Sequence, residues 1–88
     1  MAETDVGRRR QLRRRFLELL YASSEEGDSE YRDGYEIGDQ LGISRQDAER
    51  IVRYHEDHGY ARKSGTHGLT VRITAQGIDH IEATGGEA

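Results

Sequence analysis

The fold turns on one stretch: Ile37-Gly38-Asp39-Gln40-Leu41-Gly42-Ile43-Ser44-Arg45-Gln46-Asp47-Ala48-Glu49-Arg50-Ile51-Val52. Ile37 and Leu41, four apart, form the apolar edge of a short helix expected over residues 36–41. Gly42 closes it, because glycine takes the left-handed backbone without a Cβ penalty, and Ile43 then tucks back toward the core. Ser44 is a natural N-cap. Asp47, three residues on, completes a capping-box-like pair with aspartate in place of the usual Glu or Gln. A second helix follows over residues 45–58, with Ala48, Ile51, Val52 and His55 on its inner stripe and Gly59 as its stop. Two helices crossed over so brief a turn leave the outer face of the second free.

Upstream, residues 8–24 predict a first helix. Leu12, Phe16, Leu19, Leu20 and Ser23 fall on one stripe at helical spacing, and Leu17 and Tyr21 form a second pair off it. That pair either packs on the last helix with Ile78 and Ile81 or supplies half of a homodimer seam together with that helix. Residues 25–34 are polar, acidic and turn-rich, and predict a loop.

Downstream, residues 60–63 are a candidate strand, 64–68 a connecting loop, and Leu69-Thr70-Val71-Arg72-Ile73-Thr74 alternates as a half-buried strand does. The alternation leaves open whether Tyr60 or Ala61 points inward. Thr74 is placed to cap a final helix over residues 75–83. Gly77 weakens that helix, and Thr84-Gly85-Gly86 ends it.

The chain has 88 residues, enough for one small domain, expected over residues 8–84 with flexible tails at 1–7 and 85–88. A third of the residues are hydrophobic and a third charged, but their patterning predicts folding rather than disorder. No cysteine is present, which excludes disulfides, thiol nucleophiles and thiolate metal sites. No apolar run is long enough to cross a bilayer, and Phe16-Leu17-Glu18-Leu19-Leu20 is too short for a signal-peptide core. A cytoplasmic protein without a membrane partner is expected.

The net charge of −4 does not favour a polyanionic partner, yet the charge is uneven. Arg8, Arg9, Arg10, Arg13, Arg14 and Arg15 crowd one helix start, whereas seven basic residues face fifteen acidic ones from Phe16 onward. Positive charge at a helix N-terminus opposes the macrodipole, and Arg9–Arg13 and Arg10–Arg14 repel at i,i+4 spacing. Helix stability therefore does not explain the cluster. It either contacts phosphates or pairs with the acidic segment 25–39.

The order helix, helix, helix, strand, strand, helix resembles the winged helix-turn-helix superfamily. The likeness is carried by Ile37, Gly38, Leu41, Gly42, Ile43, Ala48 and Ile51, by Gly59-Tyr60, and by Leu69 through Ile78. There a Thr-x-x-Gly opening of the closing helix follows the strand. Gly38 departs from the more usual alanine, and both are small, as a close helix crossing requires. The resemblance covers about residues 10–83. It implies an α+β, mainly α domain of three helices, a β-hairpin wing and a short C-terminal helix. It further implies a double-stranded DNA-binding protein, a transcriptional regulator whose third helix enters the major groove. Relatives that are dimers read two half-sites, which is the context for a homodimer through Leu17, Tyr21 and the last helix.

On that reading Arg45, Gln46, Arg50 and Arg53 are the candidates for base contact, because Arg and Gln match guanine and adenine edges. Arg8, Arg9, Arg10, Arg13, Arg14, Ser44, Arg62, Lys63 and His67 are the candidates for the DNA backbone. The competing reading of the third helix is a solvated face with a Glu49–Arg53 ion pair. The competing reading of the whole chain is an acidic winged-helix module or adaptor that binds protein. Glu49, Glu56 and Asp57 splitting the basic surface would favour that reading, and one continuous basic surface would favour DNA.

His55 and His58 are three apart but lack a third ligand, so His55 reads as a structural histidine and no metal or cofactor is expected. His67 and His80 read as surface residues. No nucleophile–base grouping and no phosphate-binding glycine loop occurs, so no enzymatic activity is expected. No separate small-molecule sensor domain fits in the remaining length, which leaves control to abundance, a partner or oligomeric state.

Overall fold

The computed structural model of the chain describes residues 5–25, 31–65 and 67–85. The elements are α1 (Asp5–Glu25), β1 (Arg32–Asp33), α2 (Gly34–Leu41), α3 (Arg45–Asp57), β2 (Ala61–Ser64), β3 (Thr70–Ile73) and α4 (Ala75–Gly85). The result is α+β and mainly helical, with one small antiparallel sheet in the order β1-β3-β2.

Helix α1 starts at Asp5, inside the stretch expected to be a tail, and α4 reaches Gly85. The remaining expected tail residues, 1–4 and 86–88, lie outside the described residues. Strand β1 is a correction to the expected loop over 25–34. Arg32 pairs with Val71 and Asp33 with Thr70, giving central β3 a partner on each side. A two-residue strand has no period of its own and is held by that nonlocal pairing. Residues 26–30 of the expected loop lie outside the described residues.

Local chemistry sets the helix ends. Asp33 caps α2 by accepting from Tyr35 N. Gly42 sits at φ 74°; its N–H reaches Asp39 O, and Ile43 N reaches Gly38 O at 3.0 Å. These are the two bonds of a Schellman closure. Ser44 caps α3 at 3.1 Å from Asp47 N. Thr74 caps α4 through Gly77 N at 3.1 Å, and its hydroxyl also donates to Gly59 O at 2.6 Å.

The core joins Phe16, Leu17 and Leu20 of α1, Ile37 of α2, Ala48, Ile51 and Val52 of α3, the inner face of the sheet, and Ile81. Fully burying each large aliphatic or aromatic side chain contributes roughly 1.5–3 kcal/mol. Ala61, not Tyr60, points inward on β2; it pairs with Ile73, and Val71 lies beside Lys63. Leu17 is only 1% exposed, and Tyr21 donates to Glu82 at 3.0 Å. Leu17 is therefore part of the chain's own core, and half-buried Tyr21 is bonded to α4. No helix among the described residues is long and apolar enough to cross a membrane.

Close approach leaves little room for a Cβ at Gly34, beside Leu69, and at Gly38 and Gly77. A Cβ at Gly38 would stand 3.0 Å from the Ala48 Cβ, so the α2–α3 crossing is set by the smallness of both residues. A Cβ at Gly77 would collide with the Tyr60 carbonyl oxygen and lie 2.7 Å from Ile73 Cγ1. The apparent weakness of α4 at Gly77 is what lets the helix sit on the end of the hairpin.

Candidate nucleic-acid interface

With Ala48, Ile51, Val52 and His55 buried, helical geometry turns Gln46, Arg50 and Arg53 outward on α3, and all three are exposed. Arg50 is 68% exposed at its side chain and stands 3.5 Å from Asp47, a weak surface pair. The Glu49–Arg53 pair of the competing, solvated-face reading does not form among the described residues. Glu49 instead accepts the Tyr35 hydroxyl, and that bond raises the Tyr35 pKa above the ordinary tyrosine value. Arg53 thus keeps no ion-pair partner among the described residues. Arg45, exposed at the start of α3, lays its guanidinium 4.3 Å from the Tyr35 ring centre.

The arginines of α1 divide by flank. Arg8, Arg9 and Arg13 line a groove of about 590 Å³ that they share with Ser44, Asp47 and Arg50. Arg8 and Arg15 also line a smaller hollow of about 370 Å³ beside Gln40 and Leu41 of α2. Arg14 turns the other way; it bonds Glu18 at 2.9 Å and Thr84 at 2.6 Å. Arg10 is exposed and lines neither hollow. Of the six arginines, three therefore meet the start of α3. Among the described residues none of the six pairs with Asp33, Glu36 or Asp39.

Arg13 is anchored twice. Its guanidinium carbon lies 4.3 Å from the Tyr54 ring centre, a cation–π contact. Its carbonyl oxygen accepts from His55 Nε2 at 2.8 Å. His55 is 3% exposed, and its Nδ1 has no partner. Burial, less the opposing effect of the Arg13 carbonyl bond, pushes its pKa down to about 4. It is a neutral core residue, as the inner stripe suggested. His80, expected at the surface, is half-buried and stacks on Tyr60 with centroids 4.3 Å apart; His58 stacks on the same ring. The sequence signal for this ladder lay in the spacing of His55, His58 and Tyr60, but its partner His80 arrives only through packing. No acid–histidine group among the described residues could hold a metal.

The hairpin cations stand apart. Arg62 and His67 are exposed and Lys63 half-buried. Lys63 N donates to Glu56 Oε2 at 3.3 Å, which seats Glu56 between α3 and β2. On the helical wheel of α3, Glu56 and Tyr54 lie on opposite flanks, so the hairpin and α1 border different sides of the helix. The basic surface therefore joins α1 to α3 but is interrupted on the hairpin side.

No family model, no curated protein and no solved structure matches this chain.

Proposed function

We propose that this chain is a winged-helix protein that binds double-stranded DNA and acts as a transcriptional regulator. The element order, with a short strand after the first helix completing the hairpin sheet, supports the fold reading. The observation that carries the function is the convergence of Arg8, Arg9 and Arg13 on the groove that Ser44 and Arg50 border. In this reading Gln46, Arg50 and Arg53 face base edges, with Arg45 at the leading end, and the groove arginines hold the phosphate backbone. Arg14 takes no part, because it bonds Thr84 of α4, and Arg10 lies outside the groove. Arg62, Lys63 and His67 touch the backbone only from the far flank of α3.

A second reading is favoured by a specific observation. Glu56 and Asp57 interrupt the positive surface toward the hairpin, and the whole chain is acidic, as suits a protein-binding module. Titration of a labelled random-sequence duplex, followed by fluorescence anisotropy at low and moderate salt, separates the two. DNA binding predicts saturable affinity that falls steeply with salt, because bound arginines release counterions. Absence of binding even at low salt rejects the DNA reading in favour of a protein partner.

A further inference from the structure

The groove between α1 and the α2–α3 turn has a lining that DNA phosphate alone does not use. Its rim carries four guanidinium groups against the single carboxylate of Asp47. Its floor is apolar, built from Leu12, Ile43 and Ile51 with the Tyr54 ring as one wall. Its volume of about 590 Å³ falls within the range of small-molecule sites. A bare phosphate would satisfy the rim and leave the floor wet. A neutral apolar molecule would cover the floor and leave the cations unanswered.

The rim is also unspent. Among the described residues Arg8 and Arg9 have no partner. Arg13 sits over the Tyr54 ring and has no side-chain ion-pair or hydrogen-bond partner among the described residues. Arg50 has only its exposed 3.5 Å contact with Asp47. The Ser44-capped start of α3 opens on the same groove and favours negative charge there. Guanidinium forks match a carboxylate through paired N–H bonds.

We propose that this groove binds a small amphipathic carboxylate, an aromatic or medium-chain organic acid. Its carboxylate meets the arginine rim, and its apolar body lies on Leu12, Ile43 and Ile51 against Tyr54. Such a ligand occupies the same arginines that hold phosphate, so it competes with DNA; this last clause rests on the DNA reading above. Small-molecule control then acts within this domain itself, a route beside the abundance, partner or oligomeric state expected above.

The test is a titration of the isotope-labelled full chain with sodium benzoate, with benzamide and inorganic phosphate as controls at constant ionic strength, read by amide NMR shifts. Benzoate is expected to give saturable shifts confined to residues 8–13 and 42–54, with both controls roughly tenfold weaker. R9Q is expected to weaken benzoate binding by about 1.5- to 5-fold, with the unfolding midpoint kept, since Arg9 is exposed and has no partner among the described residues. Shifts that do not saturate, phosphate matching benzoate, or unchanged binding by R9Q together with R50Q would overturn the site. A duplex added in parallel separates the two claims. Duplex binding without saturable benzoate binding overturns the carboxylate site and spares the DNA reading. Saturable benzoate binding without duplex binding upholds the site and rejects both the DNA reading and the competition.

Discussion

Arg13 lies with its guanidinium carbon 4.3 Å from the centre of the Tyr54 ring, so a basic residue of the first helix is held in place by the third. The contact fixes which way the cation points and gives the groove one rigid edge. An exposed cation–π contact is worth about 0.5–1 kcal/mol. Y54A is therefore expected to weaken duplex binding by roughly two- to fivefold, whereas Y54F, which keeps the ring face, leaves affinity unchanged. Anisotropy titration of both variants checks this, with thermal unfolding confirming that each is folded.

The division of the α1 arginines by flank makes a charge-matched prediction. R9Q/R13Q should reduce duplex affinity similarly on every sequence and lower the salt slope by roughly two. R10Q/R14Q removes the same charge from two positions outside the groove and should leave affinity and slope near those of the parent. Equal losses from the two pairs would mean that overall charge, not the groove, governs binding.

Stability should fall as the medium is acidified, because of His55. Its folded pKa of about 4 lies below the ordinary histidine value, so below pH 6.5 the unfolded chain binds a proton that the folded chain refuses. The stabilisation is fully present above about pH 6.5, declines as pH drops, and is gone below about pH 4. Its full size is about 3 kcal/mol. Urea unfolding at neutral pH and near pH 4.5 measures it. H55L should be less stable at neutral pH and should lose less stability on acidification than the parent does.

Two glycine substitutions in helices should move stability in opposite directions. Gly7 has nothing among the described residues within 4 Å of where a Cβ would stand, so G7A should stabilise α1 by about 0.4–1 kcal/mol through backbone entropy. At Gly77 the Tyr60 carbonyl and Ile73 block the added carbon, so G77A should cost roughly 1–3 kcal/mol despite alanine's better helix propensity. Thermal unfolding midpoints distinguish the two directly.

The helix ends at Gly42, Ser44 and Thr74 were legible in the sequence because capping is local, each residue acting on backbone groups within a few positions, whereas the starts of α1 at Asp5 and of α2 behind Asp33 were not. The long elements and the inner stripe through His55 followed from periodicity in the same way. Strand β1 was not legible, since Arg32 and Asp33 are extended only because β3 lies beside them. For Leu17 periodicity offered two fates, packing within the chain or a dimer seam, and could not choose between them. Within the site, the exposed stripe of Gln46, Arg50 and Arg53 could be read from helical spacing. The separation of Arg13 from Arg14 could not, because adjacent residues on one helix meet different neighbours only after packing. Glu49 shows the same limit: spacing offered Arg53, and the fold supplied Tyr35.

Amide NMR of the labelled chain with a random-sequence duplex at low salt tests the central claim most directly. The account predicts that the largest shifts fall on Gln46, Arg50 and Arg53 of α3 and on Arg9 and Arg13 of α1. A spectrum unchanged by the duplex, or shifts confined to α4 and the outer side of the hairpin, would contradict it.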